Sequence, residues 1–162
     1  MQEYRVDGKP IAQKRHRTCK TKGKIFRYDP SRGDKQKWRA RVAAPITPTT
    51  EPVAVTLDFV FERPKCHFRT GRFSGELRPD APRFHTSYPD VDNLVKFALD
   101  ALNKHIFKDD KQVYSVTAAK RYCRPDETPH TTIGIVTETE VKRPKKKRRI
   151  GSKADAMSLD VM

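Results

Sequence analysis

From Val53 to Phe61, "VAVTLDFVF" repeats bulky apolar side chains with a period of two, at Val53, Val55, Leu57, Phe59 and Phe61. That spacing predicts a strand with those five residues in a core and Ala54, Thr56, Asp58 and Val60 on its other face. Between Asn93 and about Asn103 the rhythm changes. Leu94, Phe97, Ala98, Ala101 and Leu102 recur at spacings of three and four, which predicts an amphipathic helix with a single apolar stripe. "QVYSVTAAKRY" and "HTTIGIVTET" are rich in Val, Ile, Thr and Tyr, and the turn-like "CRPDETP" between them makes the pair read as a hairpin. "EYRV" near the start reads as one more short strand.

The remaining segments lack a period. "DGKPIAQKRHRTCKTKGKIFRYDPSRGDKQKWRARV" carries basic residues punctuated by Gly and Pro and reads as an arm with short ordered pieces. "APITPTTEP" is a connector, and "ERPKCHFRTGRFSGELRPDAPRFHTSY", with three prolines, is a long loop. The order of elements predicts an α+β fold, a small mixed β-sheet with one principal amphipathic helix packed on a face and a basic N-terminal arm. With 162 residues in all, one domain is expected, over residues 1–141. The tail 142–162 differs in kind. Its "KRPKKKRR" packs seven positive charges into eight residues, which repel one another too strongly to fold without an anionic partner, so the tail is expected to be disordered when free.

Charge narrows the class of partner. Thirty-five Lys and Arg stand against 20 Asp and Glu, for a net charge of +15 and a pI near 10.0. Such a chain seeks a polyanion, nucleic acid first. A membrane surface fits less well, because no apolar run nears the roughly 18 residues of a spanning helix and no amphipathic stretch has a basic polar face. Lys14, Arg15 and Arg17 in the arm, and Lys142, Arg143, Lys145, Lys146, Lys147, Arg148 and Arg149 in the tail, are the candidate phosphate contacts. Phe26, Tyr28 and Trp38 are interleaved with the arm's cations, either as rings that stack on bases or as anchors that fix the arm to the core. Cys19, Cys66 and Cys123 are far apart and make no zinc spacing with the histidines, which fits a reducing intracellular compartment. The N-terminus has no secretory pattern, so the protein is expected at DNA, in the cytoplasm or nucleoid, or in the nucleus of a eukaryotic or viral setting.

Against this background, "PDVDNLVKFALDALNKHIFKDDKQV" gathers Asp90, Asp92, Asp100, Asp109 and Asp110. Taken singly each has a structural explanation. Asp92 precedes the helical stripe as an N-cap, Asp92–Lys96 and Lys96–Asp100 are i, i+4 ion pairs, and "KDDK" is a charged turn. Together they suit a metal. Asp90 and Asp92 bracket one residue, and in an extended approach to the helix both carboxylates point to one side, as a divalent cation bound by two carboxylates and water requires. Asp109 or Asp110 lies beyond the far end of a helix about 16 Å long. The segment back to Asn103 reaches roughly 23 Å, so it can double back with Ile106 and Phe107 pinned on the core, or a second subunit can supply Asp110. Such a site polarises a phosphoryl oxygen and activates water for phosphodiester hydrolysis, with Lys96, one turn after Asp92, on the scissile phosphate.

These motifs, "GKPIAQKRHR", "PDVDNLVKFALDALN" and "KDDKQV", resemble the RusA family of Holliday-junction resolvases over roughly residues 3 to 139. The resemblance implies a homodimeric endonuclease of mixed α/β fold, dependent on Mg²⁺ or on Mn²⁺ in its place. It implies paired symmetric nicks across four-way DNA junctions in recombination, repair or replication-intermediate processing. It further implies that Asp90, Asp92 and Asp110 are the metal ligands, Lys96 the catalytic lysine, Asp109 an adjacent acidic position and Asp100 a structural one. A non-catalytic basic nucleic-acid binder and a metal nuclease acting on flaps or other branched DNA are the rival classes. The first leaves the aspartates without a role, and substrate competition with and without Mg²⁺ separates the second. The tail's "PKKKRR" reads as a nuclear localisation signal or as a DNA tether.

Overall fold

A computed structural model of the chain describes residues 1–43 and 47–140. Its centre is strand β4 (Val53–Phe61), whose five period-two residues are all buried, as the pattern predicts. Helix α2 (Val91–Leu102) lays Leu94, Phe97, Ala98, Ala101 and Leu102 into the same core. Around β4 runs a four-stranded sheet in the order β1-β6-β4-β5, with β1 at Gln2–Asp7, β5 at Val113–Tyr122 and β6 at His130–Thr137. β4 is parallel to β5 and antiparallel to β6, and β1 is antiparallel to β6, so the sheet is mixed and the fold is α+β.

The expected hairpin of β5 and β6 does not form, because β4 lies between them. Strands flanking a central one are two spacings apart, roughly 9.6 Å. A seven-residue connection, from Cys123 to Pro129, spans that easily. The Val- and Ile-rich runs therefore each pair with the strand whose core face is fully apolar rather than with one another.

The basic arm is also more built than its composition implies. Residues 17–28 form a separate two-stranded sheet, β2 (Arg17–Thr21) with β3 (Lys24–Tyr28), and Arg32–Arg39 form a second helix, α1. Trp38 is the anchor, buried edge-on against Phe97 with ring centroids 5.9 Å apart. Phe26 and Tyr28 are not anchors; both are exposed. Lys35 on α1 joins the two helices through Asp29 Oδ2 at 2.7 Å and Asp100 Oδ2 at 2.8 Å. The three cysteines are free, Cys123 buried and the other two exposed.

The long loop after β4 is irregular, as expected, apart from single 3-10 turns at Lys65–His67 and Gly71–Phe73. It is tied to the sheet. Arg63 donates to the carbonyls of Cys123 at 2.6 Å and Pro82 at 2.9 Å, and the His85 ring stacks on Phe61 at 4.1 Å. Burial, and then the nearby Lys120 ammonium, push the His85 pKa down.

At the same end of the sheet Arg121 holds Glu127 in a two-pronged pair at 2.6 and 2.8 Å and Asp58 at 2.9 Å. The hydrogen bonds from Arg121 overcome burial and bring the Glu127 carboxyl from its ordinary 4.5 down to about 2. Its stabilising contribution is therefore complete above about pH 4.5 and is lost as the pH falls toward 2. Glu127→Gln is expected to melt at a lower temperature than the parent at pH 7. That difference should close between pH 4.5 and pH 2 in thermal melts, the interval over which the parent's own carboxylate is protonated.

Candidate active site

Helix α2 starts two residues earlier than its apolar stripe indicates. Asp90, in extended conformation at φ −70° and ψ 147°, is the N-cap residue, and Asp92 lies inside the first turn. The cap role expected of Asp92 thus falls to Asp90, yet the Asp90 side chain accepts no hydrogen bond from the helix amides. Asp90, Asp92 and Lys96 are all exposed, and none has a side-chain hydrogen bond or ion pair within the described residues. The i, i+4 ladder from Asp92 through Lys96 to Asp100 does not form. Asp100 turns instead to Lys35, whose charge is already held between the helices.

The backbone ahead of Asp90 is clamped by a residue that sequence reasoning passed over. Lys120 Nζ donates to the carbonyls of Ser87 and Pro89, each at 2.7 Å, and Pro89, buried after a cis peptide bond, leads directly into Asp90. On β5 the period of two puts Lys120 on the face shared by Ala118 and Tyr122, both packed against the core. The signal becomes readable only once the inward face of β5 is known, since a half-buried ammonium needs acceptors.

Beyond α2 the chain turns at Lys104, whose φ is 62°, and buries Ile106 and Phe107 as expected. It then passes beneath the start of β4, where Lys108 N donates to Thr49 O at 3.0 Å, and enters β5 through a 3-10 turn at Asp110–Gln112. Asp109 caps that turn. Its Oδ1 accepts from Lys111 N at 3.1 Å while Gln112 Oε1 accepts from Asp109 N at 2.7 Å, and the Lys111 amide, more than any other group, holds its carboxyl below the usual range. Asp110 is exposed and bonded to no backbone amide.

The segment does not double back along the helix. α2 runs from the end of β4 back toward its beginning, so Asp110 lies a helix length, roughly 18 Å, from Asp90 and Asp92. Among the described residues no three His, Cys, Asp or Glu side chains come close enough to hold a metal ion. One chain thus sets two unengaged carboxylates and a lysine at the start of α2, and the exposed carboxylate of Asp110, beside Asp109, at the opposite end of the sheet.

The basic run is brought to the first of these ends. Gln13 N donates to Asn93 O at 2.9 Å, immediately beside Asp92. Lys14 pairs with Asp34 at 2.8 Å, while Arg15 and Arg17 are exposed. The tail residues Lys142, Arg143, Lys145, Lys146, Lys147, Arg148 and Arg149 lie outside the described residues. No helix among the described residues is long and apolar enough to cross a membrane.

A family model described as endodeoxyribonuclease RusA matches residues 7–136. The chain belongs to the RusA endodeoxyribonuclease family. It is also 34% identical over 129 residues to the uncharacterized protein YqaN of Bacillus subtilis (strain 168), covering 74% of this chain and 87% of that protein. The family match takes in Asp90, Asp92, Lys96, Asp110 and Lys120 and ends before the basic tail.

If Asp90 acts in cleavage and Lys120 holds it in place, Lys120→Met should lower single-turnover cleavage roughly 10–100-fold, the usual effect of losing a group that orients an active-site residue. DNA affinity in filter binding should be unchanged, and Lys120→Arg should restore part of the rate. A loss of stability without a loss of rate in the folded protein would leave Lys120 a packing residue only.

Proposed function

We propose that the protein is a homodimeric endonuclease that resolves four-way DNA junctions by paired symmetric nicks, dependent on Mg²⁺ or on Mn²⁺ in its place. The observation that carries this reading is the state of Asp90 and Asp92. In a chain of net charge +15 they stand exposed and without a partner among the described residues, whereas Asp29, Asp58, Asp100, Asp109 and Glu127 each hold a cation or an amide. Exposed carboxylate oxygens with no competing donor suit a hard divalent cation, which needs only one or two of them beside water and phosphate oxygens. Bound there, the ion supplies Lewis acidity and an acidified water for phosphodiester hydrolysis.

Asp90 and Asp92 would hold the metal from the start of α2, and Lys96, exposed one turn along, would neutralise the scissile phosphate. Asp110 is favoured over Asp109 as the third ligand because Asp109 is spent on its cap. The helix length between Asp110 and the other two supports a site shared across the dimer, with Asp110 of the partner subunit completing each metal centre. A twofold dimer then carries two matched sites, as two symmetric cuts require. The endonuclease domain would take in residues 1–141 and work at DNA inside the cell, with the tail 142–162 as a nonspecific tether.

Asp92→Asn preserves shape and removes ligand charge. It should lower cleavage of a synthetic four-way junction by more than the roughly 10–100-fold typical of a ligand's outer partners, with junction binding retained. Duplex, flap and RNA substrates, each with and without Mg²⁺, give the specificity.

Complementation tests the shared site. Asp92→Asn and Asp110→Asn chains, each inactive alone, should regain nicking when mixed, because a mixed dimer with shared sites has one site with all its ligands. Sites built within one chain would stay dead in every combination, and a monomer in light scattering at cleaving concentrations would remove the dimer itself.

A further inference from the structure

The hairpin of β2 and β3 is built as if for a partner that the other described residues do not provide. Lys22 and Gly23 form its two-residue turn, with φ of 49° and 74°, and positive φ at both positions is the turn that matches the twist of paired strands. All ten strand residues are exposed, including Ile25 at 71%, Phe26 at 53% and Tyr28 at 47%. An isolated two-stranded ribbon is marginal in water. From Lys14 to Tyr28 the chain has seven Lys and Arg and no Asp or Glu.

The register distributes these charges. Arg17 and Lys24 lie on one face with Phe26 and Tyr28, and Lys20 and Arg27 lie on the other with Ile25. A ribbon with cations on both faces suits a slot walled by anions on both sides. A five-residue ribbon is roughly 17 Å long, and the major groove of duplex DNA, about 12 Å wide and 8.5 Å deep between two phosphate backbones, admits two strands.

The ribbon's root is firm. Asp29, next after Tyr28, accepts from Ser31 N at 2.8 Å, Gln13 Nε2 at 3.0 Å and Lys35 Nζ at 2.7 Å. The backbone N–H of Gln13 in turn donates to Asn93 O, beside Asp92. Whatever the ribbon grips is therefore held at a fixed offset from the start of α2.

We propose that the β2–β3 hairpin is a duplex-binding ribbon that lies in the major groove of one DNA arm next to the cleavage site. The proposal rests on the reading of the chain as an enzyme of DNA, but binding tests it separately from cleavage.

The decisive protein is Lys20→Gln, Lys24→Gln and Arg27→Gln combined, prepared in the full chain both alone and with Asp92→Asn so that binding is read without cutting. Three lost phosphate contacts should flatten the slope of log affinity against log salt by about 2 to 3 on a four-way junction and on plain duplex alike. The parent should protect guanine N7, in the major groove, from dimethyl sulfate on one arm, and the triple variant should lose that protection.

An unchanged salt slope in a variant with the parent's melting temperature overturns the ribbon, whether or not the protein cleaves DNA. Protection of adenine N3 in place of guanine N7 overturns the groove assignment. If Phe26→Ser dissociates the dimer in light scattering and leaves the salt slope as it was, the hairpin binds a second copy of this chain and the proposal is wrong. A flattened slope in a chain that cleaves no DNA upholds the ribbon and defeats the nuclease site instead.

Discussion

Parallel pairing of β4 with β5 is the constraint from which the placement of every candidate catalytic residue follows. Parallel neighbours cannot be joined by a tight turn, so the chain must leave the end of one strand and travel back to the start of the next. Here the loop after Phe61, α2 and the 3-10 turn before Val113 make that journey. The start of α2, with Asp90 and Asp92, is thereby set at the end of β4, and Asp110 at its beginning. Their separation is a property of the topology and would survive any local rearrangement of the loops. The roll of the helix is fixed as firmly. Each residue advances about 100° around the axis, so Leu94, Phe97 and Ala98 cannot stay buried unless Asp92 and Lys96 face outward.

Within that frame the charged groups divide by what holds them. Burial alone would lower the pKa of Lys35, but its hydrogen bonds to Asp100 and Asp29 raise it and lock α1 to α2. Arg121 does the same between β4, β5 and the turn before β6, through Asp58 and Glu127. Lys120 is satisfied wholly by carbonyls, which fixes the peptide ahead of Asp90 without bringing a carboxylate's charge to that place. The paired ions serve the scaffold. Leaving Asp90 and Asp92 out of these pairs costs little in stability, since exposed ion pairs contribute about 0–1 kcal/mol, and it keeps their oxygens available.

The sequence was most legible where a period had to be satisfied by one buried face. The alternation through Val53–Phe61 and the stripe from Leu94 to Leu102 identify β4 and α2 because water exclusion acts on those residues directly. Pairing partners were not legible in the same way. Nothing in the Val-, Ile- and Thr-rich runs of β5 and β6 says that a third strand will come between them. The helix start was misplaced for a related reason: Val91 is exposed and contributes nothing to the stripe, so the pattern begins at Leu94 while the backbone is already helical. The candidate carboxylates were readable as a cluster in sequence, but their distribution over two ends of a sheet is a fact of connectivity. Lys120 was missed because a lysine among Thr, Ala and Arg reads as surface until its strand's inward face is known.

The same connectivity explains how a chain this basic can keep two carboxylates free. A cation close to Asp90 or Asp92 would pair with it and compete with a metal, whereas a cation beyond the Debye length of about 8 Å at physiological salt attracts DNA without disturbing the carboxylates. Two cations near this end are already held: Lys120 by the carbonyls of Ser87 and Pro89, and Lys14, one residue past the backbone contact with Asn93, by Asp34 of α1. Arg17, Lys20, Lys22, Lys24 and Arg27 are carried on the β2–β3 hairpin and its turn rather than on α2. Lys96, the one lysine of α2, stays one turn of helix from Asp92, and no hydrogen bond joins them. Attraction for the polyanion and affinity for a cation are opposite electrostatic demands, and the Asp29–Lys35–Asp100 node helps to meet both by fixing the root of the cationic ribbon to the helix while using none of the ribbon's own charges and neither Asp90 nor Asp92.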